Sequence, residues 1–445
     1  MSSIEFTQTI PYSDAYQVIV VGGGPAGCTA AAAAGREGAK VLLVEGTGAL
    51  GGMGTSALVP AWCPFSDKEK VIYKGLAETV LERCKAGMPH VPADAVNWVP
   101  IDPERLKRVY DDLVTENGVD VLFNTLLCGV NTNGDGSVAN VVLAGKDGLT
   151  AYRAEVFIDC TGDADLAVQA GASYEKGGDE GELQPATHCF MLANVDEYAY
   201  RHGEWLHPSN PKSPMYAILK SGKYPLIPDA HCCNNVVGPG VIGFNAGHIW
   251  DVDNTDPKSV SKALITGRKL AAAFRDALAE FAPAAFSNAF LVQTGALMGI
   301  RETRRVIGDY TLRVEDYLDR ASFPDEICRN SYYLDVHGTK SKARREVDNR
   351  REIDERTCRM GPGESHGIPY RCLTPVGLRN VLVAGRSISA DRRVMGSIRV
   401  MPVCLAMGEA AGIAATLAMH TNNDVHQIDT QDLRKRLRHY GAYLP

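Results

Sequence analysis

An α/β fold built on a parallel sheet is what this sequence predicts, and three stretches carry the prediction. The first, QVIVVGGGPAGCTAAAAAGREGAKVLLVE from Gln17 to Glu45, holds an apolar run, a glycine turn, an alanine-rich segment and a second apolar run. The second, AEVFIDCTGDADLA from Ala154 to Ala167, is another apolar strand that runs into a turn. The third, NVLVAGR from Asn380 to Arg386, is a closing strand ending in glycine, followed from Pro402 by a helix of small residues. Unbroken apolar runs, rather than alternating ones, mark strands covered on both faces, as parallel strands are.

In the first stretch Gly22, Gly24 and Gly27 take the three glycine positions of G-x-G-x-x-G, with Pro25 and Ala26 between the last two. Gly22 permits the tight turn, Gly24 lets backbone approach a pyrophosphate, and Gly27 lets the helix pack on the strand. The helix N-terminus offers free N–H groups and a positive dipole end to phosphates. Glu45 closes the next strand, where a carboxylate accepts ribose hydroxyls. A lone G-x-G-x-x-G is weak evidence. Strand before, helix after and acid at the following strand's end make it a Rossmann-like site for an adenine dinucleotide.

The loop Gly46-Thr47-Gly48-Ala49-Leu50-Gly51-Gly52-Met53-Gly54-Thr55-Ser56 comes next. Such glycine density means close backbone approach or positive φ. It reads either as a long surface loop or as backbone N–H groups and Thr55/Ser56 hydroxyls lining the isoalloxazine and pyrophosphate of a flavin dinucleotide. An NAD-only domain needs no second glycine loop here, which favours FAD.

Helix-like stretches follow around 74–85 and 103–117, within a helical excursion over about 60–118; Asp102 and Pro103 read as N-cap and first helical residue. A short strand at 119–123 and a hairpin from Leu126 to Val142 through Asn-Gly-Asp-Gly come next. Thr161, Gly162 and Asp163 stand at a strand's carboxyl end, where open α/β sheets place ligands. Asp163 reads equally as a helix N-cap.

Beyond about residue 171 the character changes to mixed polar segments with His188, His202, His207, His231 and His248 and a helix over 259–280. The expected organisation is a cofactor domain from 1–170, an inserted α+β substrate domain from 171–370, and a closing part of the cofactor domain from 371–445. Gly238 to Gly243 repeats the glycine spacing, but Pro239 interrupts it and Phe244–His248 opens no helix, so no second nucleotide unit for NAD(P)H is predicted. Arg301, Arg304 and Arg305 would share a face on a helix, either as a solvated surface balanced by Glu302 or as an anion site. Residues 340–357 read as an exposed, mixed-charge helix or loop. A polar loop over 387–400 carries Arg392, Arg393, Ser397 and Arg399. The helix from Pro402 then has its N-terminus available to stabilise negative charge at the flavin N1–C2=O edge. From His420 onward a short terminal helix is expected.

The whole chain of 445 residues is 45% hydrophobic and 22% charged, an ordinary globular composition. A net charge of -7 disfavours a general nucleic-acid binder. The N-terminus lacks a basic segment followed by an apolar one, and no apolar run of about 18 residues is evident, so neither a signal peptide nor a membrane span is expected. The 12 cysteines include no C-x-x-C pair, which fits reduced thiols in a cytoplasm, and no metal site is expected.

Together GGGPAG with Glu45, GGMGTS, TGDADLA and VLVAGRSISADRRVMGSIRVMPVCLAMGEAAG resemble the FAD-dependent oxidoreductases related to the fumarate reductase and succinate dehydrogenase flavoproteins. GIRETRRVIGDYTL and IPYRCLTPVGLRN resemble the narrower FAD-dependent oxidoreductase family of that superfamily. The resemblance implies a glutathione-reductase-type FAD domain with an inserted substrate domain over the flavin's face. It puts Arg392 where relatives hold a substrate carboxylate, and Ser397 with Ile398 near the flavin. Gly385 and Arg386 fall at the ribityl contact, where relatives carry an acid after Ala-Gly. No histidine shortly follows GGMGTS, so the implied FAD is noncovalent. Arg301 is the candidate for the family's proton-donating arginine.

The expected activity is hydride transfer between flavin N5 and a small organic substrate, anionic ones included, with His248 or Arg301 moving the proton. Arginine's high pKa makes it an unusual acid, which gives His248 the better intrinsic chemistry, although a lone histidine is more often structural. A flavin-dependent monooxygenase or halogenase is the alternative enzyme. A flavin-containing RNA-modifying or structural partner protein is the alternative of another class. A homo-oligomer or an electron-transfer partner is compatible with the sequence.

Overall fold

The computed structural model describes residues 4, 7–178, 181–338 and 359–445. Its central layer is a wholly parallel five-stranded sheet in the order Val381–Val383, Val156–Asp159, Val18–Val21, Val41–Val44, Asp120–Leu122. The first four of these strands are buried at every residue, which is why they read as unbroken apolar runs. The mixed α/β class with a parallel sheet is therefore as the sequence predicted.

Helix Pro25–Arg36 leaves the glycine turn and packs against helix Met401–Ala418, all of whose residues are buried. The contact is backbone-close: a Cβ on Gly408 would stand 2.1 Å from the Ala26 carbonyl oxygen, and one on Gly412 2.2 Å from that of Ala30. By length and composition Met401–Thr421 is apolar enough to cross a membrane, which corrects the expectation that no such run exists; here its residues 401–418 are all buried inside the protein. Glu409 on this helix pairs with Arg36 at 2.8 Å and accepts the Leu76 N–H at 2.9 Å, tying in helix Leu76–Lys85. Helix Pro103–Thr115 begins at Asp102, whose side chain accepts from the N–H groups of Glu104 and Arg105.

The predicted hairpin is larger than expected. Strands Leu126–Thr132, Val138–Gly145 and Gly148–Arg153 form a meander, and Tyr12–Ala15 adds a parallel edge strand. A separate antiparallel sheet, ordered Cys232–Gly238, Val241–Ala246, Phe190–Ala193, Phe290–Thr294, has its own core against helix Pro257–Phe281. Phe190 stacks on Phe244 there, with centroids 4.9 Å apart. The second glycine-spaced segment is the turn of this sheet's first hairpin and opens no helix.

Two local expectations fail. Arg301–Arg305 form no helix; Arg304–Val306 is a strand paired with Tyr174–Lys176, so neighbouring arginines point to opposite sides. A short, charged stretch has no apolar periodicity strong enough to tell the two apart. The segment 387–400 is no continuous loop either, because Asp391 caps a helix over Arg392–Ile398 by accepting the Val394 N–H at 2.8 Å. The tail carries helix Thr430–His439, and the mixed-charge run at 340–357 lies outside the described residues.

Candidate cofactor and substrate site

A cavity of about 520 Å³ opens along the carboxyl ends of the parallel strands. Of the residues expected at a cofactor, Gly22, Gly24, Pro25, Ala26, Glu45, Gly46, Gly52, Met53, Thr161, Gly162, Gly385 and Arg386 line it. The glycines differ in what their missing side chains allow. A Cβ on Gly22, at φ +98°, would meet the Cys160 carbonyl oxygen at 2.4 Å, and one on Gly27 the Gly22 carbonyl oxygen at 1.8 Å. At Gly24 a Cβ would meet nothing within 4 Å. Gly22 and Gly27 thus serve the turn, whereas Gly24 keeps backbone bare toward the cavity, beside the helix N-terminus, as a pyrophosphate requires.

Glu45 accepts the N–H of Gly23 at 2.8 Å and of Thr47 at 2.7 Å, one on each carboxylate oxygen. These bonds fix the carboxylate at the cavity wall and leave each oxygen a further lone pair for a hydroxyl. Across the cavity Arg386 pairs with Asp163 at 2.8 Å. Asp163 also accepts from Thr303 and Asn254, each at 2.5 Å. Burial works to raise its pKa, but Arg386 and these donors hold it below the usual carboxylate range. Asp163 is no helix cap, since Ala164 takes that position. It is the counter-charge of Arg386.

Several expected residues face elsewhere. Thr55 is buried and donates its hydroxyl to the Leu50 carbonyl at 2.6 Å, holding the glycine loop shut from within. Gly54 packs against Leu106 and Met401. Ser397 accepts from Asn330 at 2.7 Å and donates to the Tyr332 carbonyl at 2.5 Å, and Ile398 is fully buried. The largest departure is Arg392. Its guanidinium is divided between Glu302, at 3.0 and 3.2 Å, and Glu182, at 2.5 Å, so its charge is already spent on two carboxylates. The side chains that sequence reasoning missed on the cavity wall include Thr47, Leu127, Asn254, Met298, Ile300, Arg399 and Met401.

Beside Ile300, Arg301 is buried and donates from Nη1 to the Pro185 carbonyl at 2.7 Å and the Thr187 hydroxyl at 2.8 Å. No carboxylate lies within ion-pair distance of it among the described residues. Burial, with the nearby Arg399 charge, pushes its pKa down to about 10. A set of groups from distant segments surrounds it. His248 bonds through Nδ1 to Asp229 and through Nε2 to His337 Nδ1, both at 2.8 Å. His337 Nε2 stands 3.3 Å from Asp335, which in turn pairs with Arg399 at 3.1 Å on the cavity wall. Burial, reinforced by Arg301, lowers His337 to about 4. Burial works to raise Asp335, but His337, Arg399 and Arg301 together hold it well below the carboxylate range. The sequence named His248 and Arg301 as candidates and Arg399 within the closing motif; His337 and Asp335 carry no motif that would have joined them to the cluster.

A family model described as FAD dependent oxidoreductase matches residues 17–437. No curated protein matches the chain. Among solved structures it is similar to a geranylgeranyl bacteriochlorophyll reductase-like protein from Thermoplasma acidophilum, with 15% identity, 96% of this chain and 84% of that one covered, and a TM-score of 0.49. It is also similar to p-nitrophenol 4-monooxygenase from Pseudomonas putida (12% identity, 96% and 87% covered, TM-score 0.46). A flavin-dependent brominase gives 11% identity, 96% and 83% coverage and a TM-score of 0.47.

Proposed function

The chain belongs to the FAD dependent oxidoreductase family, and from that premise we propose that it moves a hydride between flavin N5 and a small anionic organic substrate. It is an FAD enzyme, and the bare backbone at Gly24, the fixed Glu45 carboxylate and the helix N-terminus fit that cofactor. Bound FAD supplies the two-electron centre. The chain's own residues supply charge, orientation and the proton.

The observation that carries the reading is Arg301: a buried cation beside the cavity wall, without a carboxylate partner among the described residues. Asp335, the carboxylate whose charge Arg301 feels, is shared with His337 and Arg399 and makes no ion pair with it; a buried charge without a direct partner is costly, and a substrate anion offsets that cost on binding. Arg301 then holds the anion through the charge of its guanidinium, and with its pKa at about 10 it is a better proton donor than an ordinary arginine. His248 is the weaker candidate for the proton, because both of its nitrogens are engaged. Arg392 drops out as the anion holder for the reason given above.

The finer relation to glutathione-reductase-type folds and fumarate reductase flavoproteins is part of this proposal, as is the division at 1–170, 171–370 and 371–445. The parallel sheet completed by residues 381–383 supports both. A cytoplasmic setting is part of the proposal as well.

The test is anaerobic mixing of the FAD-loaded protein with hydroxy acids, amino acids, sugars and, after chemical reduction, enoates. Bleaching, or reoxidation by an enoate, by at least one anionic compound is expected. Rapid oxygen consumption with a hydroxylated product, and no anaerobic reaction, would replace this reading by the monooxygenase one.

A further inference from the structure

We infer that His231, His248 and His337 form a binding site for a divalent transition-metal ion. The argument begins with where the imidazole protons must be. A carboxylate accepts and does not donate, so Asp229 fixes the proton of His248 on Nδ1, and Asp335 fixes that of His337 on Nε2. The two remaining nitrogens, His248 Nε2 and His337 Nδ1, then present lone pairs to each other at 2.8 Å. Two acceptors at that distance repel unless something positive stands between them.

The third ring completes the arrangement. His231 stacks on His248 with centroids 4.3 Å apart, and its Nδ1 is buried without a hydrogen-bond partner. One nitrogen from each of the three rings falls within a cluster 4.8 Å across. Carboxylates behind two of the rings orient them as proteins orient metal-bound imidazoles. Imidazole donors suit zinc, iron, cobalt, nickel or copper rather than magnesium or calcium. Three protein ligands leave a coordination position for a small oxygen-bearing molecule.

The site spans the hairpin at 232–246 and the segment after strand Glu326–Asn330, and the His337 N–H is held by the Gln184 side chain at 3.1 Å. Asp335 links it to Arg399 on the cavity wall. That the ion faces the substrate rests on the hydride-transfer reading. That it binds does not.

The FAD-loaded protein, treated with a chelator and dialysed, is titrated with Zn²⁺ alone in competition with a chromophoric chelator, and metal content is measured by mass spectrometry. Uptake of about one ion per chain is expected. His248→Ala and His337→Ala abolish it with the flavin spectrum retained, and Asp229→Asn, which keeps all three rings, weakens it roughly 10–100-fold. No uptake by the wild-type protein overturns the inference and leaves a shared proton between the two rings. Undiminished uptake in the two alanine variants overturns it as well. Should those variants lose FAD, the wild-type and Asp229→Asn titrations decide. Substrate bleaching of metal-free protein that takes up no zinc would sink the metal and keep hydride transfer; zinc uptake with no bleaching by any compound would do the reverse.

Discussion

Around Gly22–Gly27 the cavity is shaped by side chains that are missing, whereas its wall at Ile300 and Arg399 is backed by charges gathered from far apart. The first wall comes from one continuous stretch, and what it offers a cofactor is backbone N–H groups and a helix end. Behind the second stand Asp229, His231 and His248 from the two ends of one hairpin of the antiparallel sheet, Arg301 from another segment, and Asp335, His337 and Arg399 from two more, of which Arg399 itself lines the cavity. Backbone recognition tolerates little change of main-chain course and is indifferent to charge. Side-chain recognition is the opposite. Mutations in the two walls should therefore separate cofactor retention from turnover.

The strongest blow to that separation would come from Arg301→Gln. The rate of anaerobic flavin reduction should fall by about 10²–10⁴-fold with FAD still bound; loss of FAD instead would mean the walls are not independent. Next is Asp163→Ala, which strands the Arg386 charge in a half-buried place. It should cost about 3 kcal/mol in a denaturant titration, with part recovered in the Asp163→Ala, Arg386→Leu double variant. Gly27→Ala drives a Cβ into the turn and should cost about 3 kcal/mol in overpacking. The readout is FAD per chain, while turnover per bound FAD stays as in the wild type.

The smallest effect is a pH dependence. Burial raises Asp159 to about 6, against the partial opposition of N–H and hydroxyl donors from Ala167 and Thr161. Its folded pKa thus lies above that of the unfolded chain, so the folded state binds the extra proton. The stabilisation is full below about pH 4 and is lost as pH rises through about 6, a change of about 2 kcal/mol. The difference in unfolding free energy between wild type and Asp159→Asn, followed from pH 4 to 7, should trace that loss. A flat difference would mean that the surroundings of Asp159 are wetter than its burial indicates.

The same contrast explains what was legible beforehand. Gly22, Gly24, Gly27 and Glu45 sit at fixed spacing because one turn of backbone needs them there, and that spacing survives in the linear sequence. The strands were readable for the same reason, since burial on both faces leaves an unbroken apolar run. The partnership of His248 with His337, 89 residues later, leaves no such trace. Nor does the diversion of Arg392, whose motif position suggested an anion but whose neighbours Glu302 and Glu182 are reached only through the fold. Arg301 was visible as a residue, and only burial without a carboxylate distinguishes it from Arg304 and Arg305, which have theirs.

The close seating of Gly408 on Ala26 and of Gly412 on Ala30 sets a schedule for biosynthesis. A nascent polypeptide that has emerged only as far as residue 380 lacks both the last central strand and the helix that clamps the first. Its glycine turn is present but unbraced, and Gly385, Arg386, Arg399 and Met401 are still missing from the cavity wall. Flavin capture thus waits for the strand at 381–383 and the helix at 401–418, and ribosome-stalled chains ending before the clamp should emerge colourless.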